Sequence, residues 1–399
     1  MSSIQFTSRQ GLSLNGTLEL PPGGEWRATA LFAHCFTCSS DLRAARTLSQ
    51  SLVNAGFAVL RFDFTGLGES EGDFADTDFS SNLDDLEDAA LWLEHHYAAP
   101  QLLLGHSLGG TAVLAVAERL PSVKAVATLA APAQPEHVLK QFGDNIERIE
   151  QQGSAEVDLG GRNFRIRNDF IEDARSHDLS DRMRKLRRAL LVMHSPTDNI
   201  VAVSNATDIF TAALHPKSFV SLDDADHLLS RRADAEYAGQ VVAAWAGRFL
   251  SSAKAEKVQG ARVSGVTEQG FLCRVQTGQH QLIADEPRSV GGTDQGPDPY
   301  AQLSSALATC TVMTLNMYAR HKKLKVERVI CEVSHSKVHV EDCEHCDSSE
   351  GKVDALSRKI SIEGDLTEQE RERMMAIANR CPVHRTLESQ IHLPAPEVG

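Results

Sequence analysis

The chain has 399 residues, with 40 Lys and Arg against 54 Asp and Glu, a formal net charge of −14. At roughly 100–200 residues per domain this length predicts two or three domains, and 42% hydrophobic with 24% charged residues excludes wholesale disorder. An acidic chain without a basic stripe is a poor match to nucleic acid or to an anionic membrane surface. The first ten residues hold no apolar stretch of the signal-peptide kind, and no apolar run approaches the roughly 18 residues of a membrane span. Eight cysteines are too sparse for a disulfide scaffold. The expectation is a cytoplasmic protein with mostly reduced thiols and no bound cofactor.

Residues 4–20 alternate apolar and polar side chains and end in Pro21-Pro22-Gly23-Gly24, which predicts an antiparallel hairpin. Short apolar runs follow at 28–32, 58–62, 102–104, 125–129, 190–194 and 218–222, separated by amphipathic stretches at 42–54, 82–95, 111–119 and 204–214. Strands alternating with helices predict a mostly parallel sheet covered on both faces. Residues 134–186 interrupt the alternation with a helical pattern (136–151) and a hairpin pattern (155–166). An insertion of that length predicts a lid over a substrate pocket.

The run 102–104 leads directly into Gly105-His106-Ser107-Leu108-Gly109-Gly110, a G-x-S-x-G pattern that opens a helix. A sharp strand-to-helix turn exposes such a serine, and the flanking glycines let the neighbouring backbone pack closely enough to permit it. A serine hydroxyl needs a base to take its proton and an acid to orient the base, in chain order Ser, acid, His. Asp198 follows the run 190–194, and His227 follows 218–222. Both stand at strand C-terminal ends, where the groups of an open α/β sheet gather. The reading is a triad of Ser107, Asp198 and His227. Asp226 is the alternative carboxylate, disfavoured because a neighbour of His227 reaches its Nδ1 poorly. His106 is read as structural.

These features, with Arg61-Phe62-Asp63-Phe64-Thr65-Gly66-Leu67-Gly68-Glu69-Ser70 after the fourth strand, make residues 1–251 resemble the α/β-hydrolase superfamily. The resemblance implies an oxyanion hole formed by the backbone N–H groups of Leu108 and Phe36. Phe36 lies in His34-Cys35-Phe36-Thr37-Cys38, where Cys35 stands in place of the family's usual glycine. Cys35 and Cys38 lack a second ligand pair for a metal and are read as packed thiols.

Residues 252–257 are small and charged and read as a linker. Beyond them the pattern is of α+β type: strands at 261–266, 271–277 and 281–285, a Gly-, Asp- and Pro-rich loop at 291–299, then a nearly uncharged helix at 300–321. Such a helix is expected to be buried on all sides. Strands at 325–340 and 355–363 and a charged helix at 368–379 complete the pattern. Two cysteines stand out, Cys310 within the apolar helix and Cys381 in Arg380-Cys381-Pro382-Val383-His384. A thiolate near a helix start or an arginine is stabilised, and a second cysteine resolves its sulfenic acid as a disulfide.

With Gly296-Pro297-Asp298-Pro299-Tyr300, these residues make 258–399 resemble the OsmC/Ohr superfamily of thiol-dependent peroxidases. The resemblance implies an intertwined homodimer, an organic hydroperoxide attacked by Cys310, and Cys381 as the resolving thiol, regenerated by a thiol reductant. Tyr300 stands where the peroxidase members carry Glu, and Arg288 is the candidate for their catalytic arginine. His335, His339, Cys343 and Cys346 have spacing that a zinc ion could use, but the favoured reading is a surface loop and no metal site is assigned. The overall expectation is a serine esterase acting on small carboxylic esters, fused to an OsmC-like thiol domain. Two rivals remain: the thiol peroxidase as the main activity with an accessory hydrolase, or a C-terminal half that only dimerises.

Overall fold

The computed structural model describes residues 2–159, 161–250, 257–339 and 352–396. The chain forms two compact units, residues 1–269 with 276–280, and residues 270–275 with 281–399. The first contains β1 (Ser2–Thr7), β2 (Ser13–Glu19), β3 (Ala28–Ala33), α1 (Arg43–Asn54), β4 (Phe57–Phe62), α2 (Phe79–His96), β5 (Leu102–His106), α3 (Leu108–Val116) and β6 (Ala125–Leu129). It continues through α4 (Asn145–Gln152), β7 (Ser154–Asp158), β8 (Asn163–Arg167), α5 (Asn168–Ser176) and α6 (Ser180–Lys185). Then come β9 (Ala189–His194), α7 (Ser204–Ala212), β10 (Lys217–Ser221), α8 (Arg232–Ala246) and β11 (Val258–Gly265).

Eight of these strands make one sheet in the order β1-β2-β4-β3-β5-β6-β9-β10. The opening hairpin is antiparallel and β2 meets β4 antiparallel, after which every pairing is parallel. Every residue of β3, β4, β5, β6 and β9 is buried, as a sheet covered on both faces requires. Alternate residues feed different cores. Leu31, Leu60, Leu103, Val126 and Val192 pack with α2, α3 and the 134–186 insertion. Ala30, Phe32, Val59, Leu104 and Leu191 pack with α1 and α8 on the other face. The fold is that of an α/β hydrolase.

The insertion differs in detail from its sequence pattern. The helical stretch breaks into a 3-10 helix, Pro135–Phe142, and α4, because Gly143 adopts φ +52° between them. The β7–β8 hairpin follows as the pattern predicts. Val138, Phe142, Val157, Phe170 and Met183 are buried within the same core as α2 and α3, so the insertion is packed rather than loosely draped.

The second unit carries residues of β12 (Cys273–Gly278) and β13 (His280–Ala284), then α9 (Pro299–Lys322), β14 (Lys325–His339), β15 (Lys352–Asp365), α10 (Glu368–Ala378) and α11 (Pro382–Leu387). β14 and β15 pair antiparallel over their length. One expectation fails here. α9 is not buried on all sides: Ser304, Leu307, Thr311, Leu315 and Ala319, at spacings of three and four, form a single buried face. Met313 and Met317 on the other side are 66% and 69% exposed. The physical reason is that the β14–β15 hairpin and two short helices, α10 and α11, cover one side of α9, and among the described residues the buried apolar cluster beneath it comprises Leu315, Ala319, Met374 and Ala378.

Candidate active site

Ser107 is the single residue between β5 and α3, at φ 54° and ψ −127°. This is a left-handed conformation costly to a non-glycine residue, held because its surroundings over-determine it. Its N–H donates to the Leu129 carbonyl of β6 at 2.8 Å. The glycines make the turn feasible. A Cβ on Gly105 would lie 2.3 Å from the Gly109 carbonyl oxygen, and one on Gly109 would lie 2.3 Å from the His34 carbonyl oxygen. Glycine at 109 therefore lets the start of α3 press against the loop that leaves β3.

The other two predicted residues arrive from neighbouring strand ends. His227 Nε2 lies 3.0 Å from Ser107 Oγ, and His227 Nδ1 lies 2.8 Å from Asp198 Oδ2. The second carboxylate oxygen of Asp198 accepts the N–H groups of Ile200 and Val201, both at 2.9 Å. Burial alone would raise the Asp198 pKa; the hydrogen bonds from His227 and Val201 outweigh it and hold the carboxyl below its ordinary value. With Nδ1–H committed to a carboxylate, the lone pair of Nε2 faces the serine hydroxyl, the arrangement a general base needs. Asp226, the rival carboxylate, instead accepts the Ser230 N–H at 2.7 Å.

Two further residues hold the loops in register: His106, read as structural from the sequence, and Ser195, whose role the sequence did not single out. His106 Nε2 lies 2.7 Å from the His227 carbonyl oxygen. Burial, aided by the nearby His227 ring, lowers the His106 pKa to about 4, so it is neutral near pH 7 and its Nε2 must carry the proton given to that carbonyl. Ser195 Oγ donates to the Asp223 carbonyl at 2.7 Å, tying the Asp198 loop to the His227 loop.

The loop after β3 is pinned at both ends. His34 Nδ1 lies 2.8 Å from the Cys35 carbonyl oxygen, the Ser40 N–H donates to Asp63 Oδ1 at 2.6 Å, and Arg61 donates to the Ser40 carbonyl. Arg61 is itself buried against Glu19 at 2.6 Å. The Phe36 ring packs against Phe74 and Phe170, each with centroids 5.4 Å away, and against Phe142 at 6.2 Å. Leu108 is the first residue of α3, so the helix ladder does not use its N–H. The expectation of packed thiols is corrected here: Cys35 and Cys38 form a disulfide. The turn that carries the Cys38 N–H to the Cys35 carbonyl at 3.2 Å brings the two Cα atoms to 5.4 Å, within bridging range.

In the second unit, the structure brings Cys310 and Cys381 into contact across α9 and α11, both as free thiols. The Val383 N–H donates to Cys310 Sγ at 3.5 Å, while Cys381 Sγ accepts the His384 N–H at 3.3 Å and the Thr311 hydroxyl at 3.8 Å. Cys310 lies mid-helix in α9, so that helix's own dipole does not favour its thiolate, and it meets the start of the six-residue α11 through the Val383 N–H alone among the hydrogen bonds above. Burial raises its pKa; the Val383 N–H opposes and the Cys381 thiol reinforces that, and the net direction is upward. Arg288 sits exposed on a 3-10 turn. The guanidinium near the cysteines is that of Arg358, which donates to Thr311 Oγ1 at 3.4 Å and to Asn379 Oδ1 at 2.7 Å. It also acts electrostatically on a third thiol, Cys331. Arg358 shares the parity of Ile360 and Ile362 on β15, and an arginine at the inward positions of a strand was the available signal.

Tyr300 stacks on His335 with centroids 4.1 Å apart, beside a cavity of about 510 Å³ that Ser304 and Cys331 also line. His335 pairs with Asp354 at 2.8 Å, and the rest of the His/Cys group falls partly on residues 340–351, outside the described residues. Among the described residues no group of three or more His, Cys, Asp or Glu could hold a metal ion, and no helix is long and apolar enough to cross a membrane.

A strained serine on an elbow between strand and helix, backed by histidine and aspartate from successive strand ends, defines the class as a hydrolase of the α/β type. Residues 24–152 match the family model described as serine aminopeptidase S33, and residues 292–394 match that of OsmC-like protein. The chain is 48% identical to the esterase domain of a Rhodothermus marinus protein, covering 63% of this chain and 99% of that one with a TM-score of 0.53. Est1E of Butyrivibrio proteoclasticus, solved with ferulic acid bound, shares the fold at 20% identity, a TM-score of 0.52, and coverage of 62% of this chain and 98% of that one. The mitochondrial palmitoyl-protein thioesterase ABHD10 of Mus musculus is 28% identical over 196 residues, 45% of this chain and 62% of that protein's length. The match thus spans less than two thirds of that curated relative. The chain belongs to the α/β-hydrolase superfamily and carries an OsmC-like domain at its C-terminus.

Proposed function

We propose that the protein is a serine hydrolase of small carboxylic esters. Ser107 attacks the acyl carbonyl while His227 takes its proton, and Asp198 orients and stabilises the imidazolium. The N–H groups of Leu108 and Phe36 hold the tetrahedral oxyanion, His227 returns the proton to the leaving group, and water then releases the acyl-enzyme by the same steps. The observation that carries this reading is the unbroken hydrogen-bond chain from Ser107 Oγ through His227 to Asp198. The relative described as an esterase domain supports an oxygen ester, and the thioesterase relative makes a thioester the second arm of the assay. Turnover of p-nitrophenyl esters and of an acyl thioester, by wild type and Ser107→Ala, tests it. Equal rates in both proteins would sink the assignment.

For the OsmC-like domain the reading is a thiol peroxidase in which Cys310 is oxidised by an organic hydroperoxide and Cys381 condenses with the sulfenic acid. Contact between the two thiols, with Arg358 close by, supports this. The exposed Met313 and Met317 on α9 support a homodimer that covers that face. Sedimentation gives the mass. Dimedone trapping on Cys310 in Cys381→Ser, after one equivalent of cumene hydroperoxide, gives the chemistry.

A further inference from the structure

We propose that the Cys35–Cys38 disulfide is a redox site, a dithiol–disulfide couple open to small dithiols, and that its oxidised form holds the oxyanion loop in its working shape. The inference rests on the serine-hydrolase reading of the same site. Three observations lead to it.

The bridge encloses Phe36, the residue whose N–H is assigned to the oxyanion. A ring closed over so few residues restrains the unfolded chain least of all, so global stability is a weak reason for a bridge here. What it restrains is the local backbone.

The two sulfurs are unequal. Cys35 is buried at 4% exposure, whereas Cys38 is half-buried. An attacking thiolate therefore reaches Cys38 Sγ, and the Cys35 sulfur is the leaving group.

The middle of the loop has few other ties. His34 and Ser40 are fixed by buried polar partners. Between them Thr37 holds φ +61°, a left-handed conformation unfavourable for a β-branched residue. Its carbonyl accepts from the exposed side chain of Arg162, and Cys38 adds one turn hydrogen bond. The Phe36 ring is anchored in its aromatic cluster. The Phe36 N–H belongs to the peptide whose Cys35 carbonyl accepts from His34 Nδ1 at 2.8 Å and from the Cys38 N–H at 3.2 Å; opening the bridge loosens the Cys38 side of that turn while the Phe36 side chain stays in place.

The exchange balances with one dithiol. A thiolate of the reductant attacks Cys38 Sγ, the Cys35–Cys38 bond breaks, and Cys35 leaves as a thiolate that takes up a proton. The second thiol of the reductant then attacks its own sulfur in the mixed disulfide. The reductant departs as a cyclic disulfide, and Cys38 leaves and is protonated. Two electrons and two protons pass from reductant to protein. With the turn loosened at Cys38, the Phe36 N–H aims less well at the oxyanion, which exists only along the reaction path, so the loss falls on kcat and leaves KM nearly unchanged.

The test uses the full chain, a p-nitrophenyl ester and dithiothreitol, with alkylation and mass spectrometry reporting the state of Cys35 and Cys38. Reduction should lower kcat by about tenfold, a fraction of what losing an oxyanion donor costs, with KM within about twofold, and reoxidation should restore it. Cys35→Ser/Cys38→Ser should show the reduced rate and ignore dithiothreitol. An unchanged kcat while alkylation shows both cysteines reduced overturns the proposal, as does a double variant that still responds. The reduction arm needs no substitution, so a poorly folding variant does not blunt it. No turnover in any form, oxidised protein included, would overturn the hydrolase reading and with it the link to the oxyanion loop.

Discussion

The two units treat their proposed nucleophiles differently. Around Ser107 the hydrolase unit arranges three strand ends, two buried cores and a set of polar ties, so that each oxygen of Asp198 and both nitrogens of His227 already have partners. Cys310 in the OsmC-like unit lies mid-helix, with one neighbouring thiol, an arginine reached through Thr311, and a thiol pKa pushed up rather than down by burial. Its helix buries one face only. The contrast teaches that residue type names a nucleophile, while the amount of fold committed around it sets its reactivity. Five measurements would break or sharpen that contrast.

The largest effect is expected of Ser107→Ala, which should lower ester kcat on the order of 10⁶-fold, by analogy with a well-studied protease, while leaving the melting temperature near wild type. Asp198→Asn should come next, with a fall on the order of 10⁴-fold at neutral pH, because the imidazole loses the partner that sets its tautomer. A fall of less than tenfold, measured on the same esters, would mean that another carboxylate serves His227.

Packing of the insertion is tested by Phe170→Ala. The ring is 1% exposed and touches Phe36 and Phe142, so the cavity should cost about 3–5 kcal/mol in denaturant unfolding and also raise KM. A change in KM with stability untouched would make the segment a loose flap rather than part of the core.

The hydrolase unit should also carry a pH signature. Burial pushes the Asp85 carboxyl, which accepts from the Thr65 N–H and hydroxyl, up to about 6 from 3.8. A raised carboxyl pKa favours the fold fully below the unfolded value and loses that contribution as pH rises through the folded value, here between pH 4 and 6. Across that window the loss is about 3 kcal/mol at most. In Asp85→Asn the melting temperature relative to wild type should therefore climb from pH 4 to 6 and level off above. A flat difference across the window would show that Asp85 titrates normally.

The smallest effect concerns the thiol unit. Arg358→Leu should slow hydroperoxide oxidation of Cys310 about tenfold, and in wild type the rate should keep rising with pH beyond the ordinary thiol range. A plateau near pH 7, followed by stopped-flow thiol consumption, would mean that Cys310 is activated after all and the contrast between the units is smaller than the geometry implies.

Much of this was legible in the residues. Period-two and continuous apolar runs marked the strands, because burial on one or both faces of a sheet leaves that imprint locally. The elbow was readable because only glycine tolerates backbone as close as the His34 carbonyl oxygen is to position 109. Ser107, Asp198 and His227 could be chosen because each lies on the turn or loop that leaves a strand of a parallel sheet, whose C-terminal ends lie side by side. Long-range convergence left a fainter imprint, for Arg358 only its shared parity with Ile360 and Ile362. Arg358 rather than Arg288 beside the cysteines, the hold of His106 on the His227 carbonyl, and α9 with one bare face are decided by which elements meet in space. Cys35 bonded to Cys38 instead of packed as a thiol is decided by the local turn, since C-x-x-C fixes a spacing but the turn between them fixes the distance. Local pattern reports what a segment must bury; only the assembled fold sets which partner it is buried against.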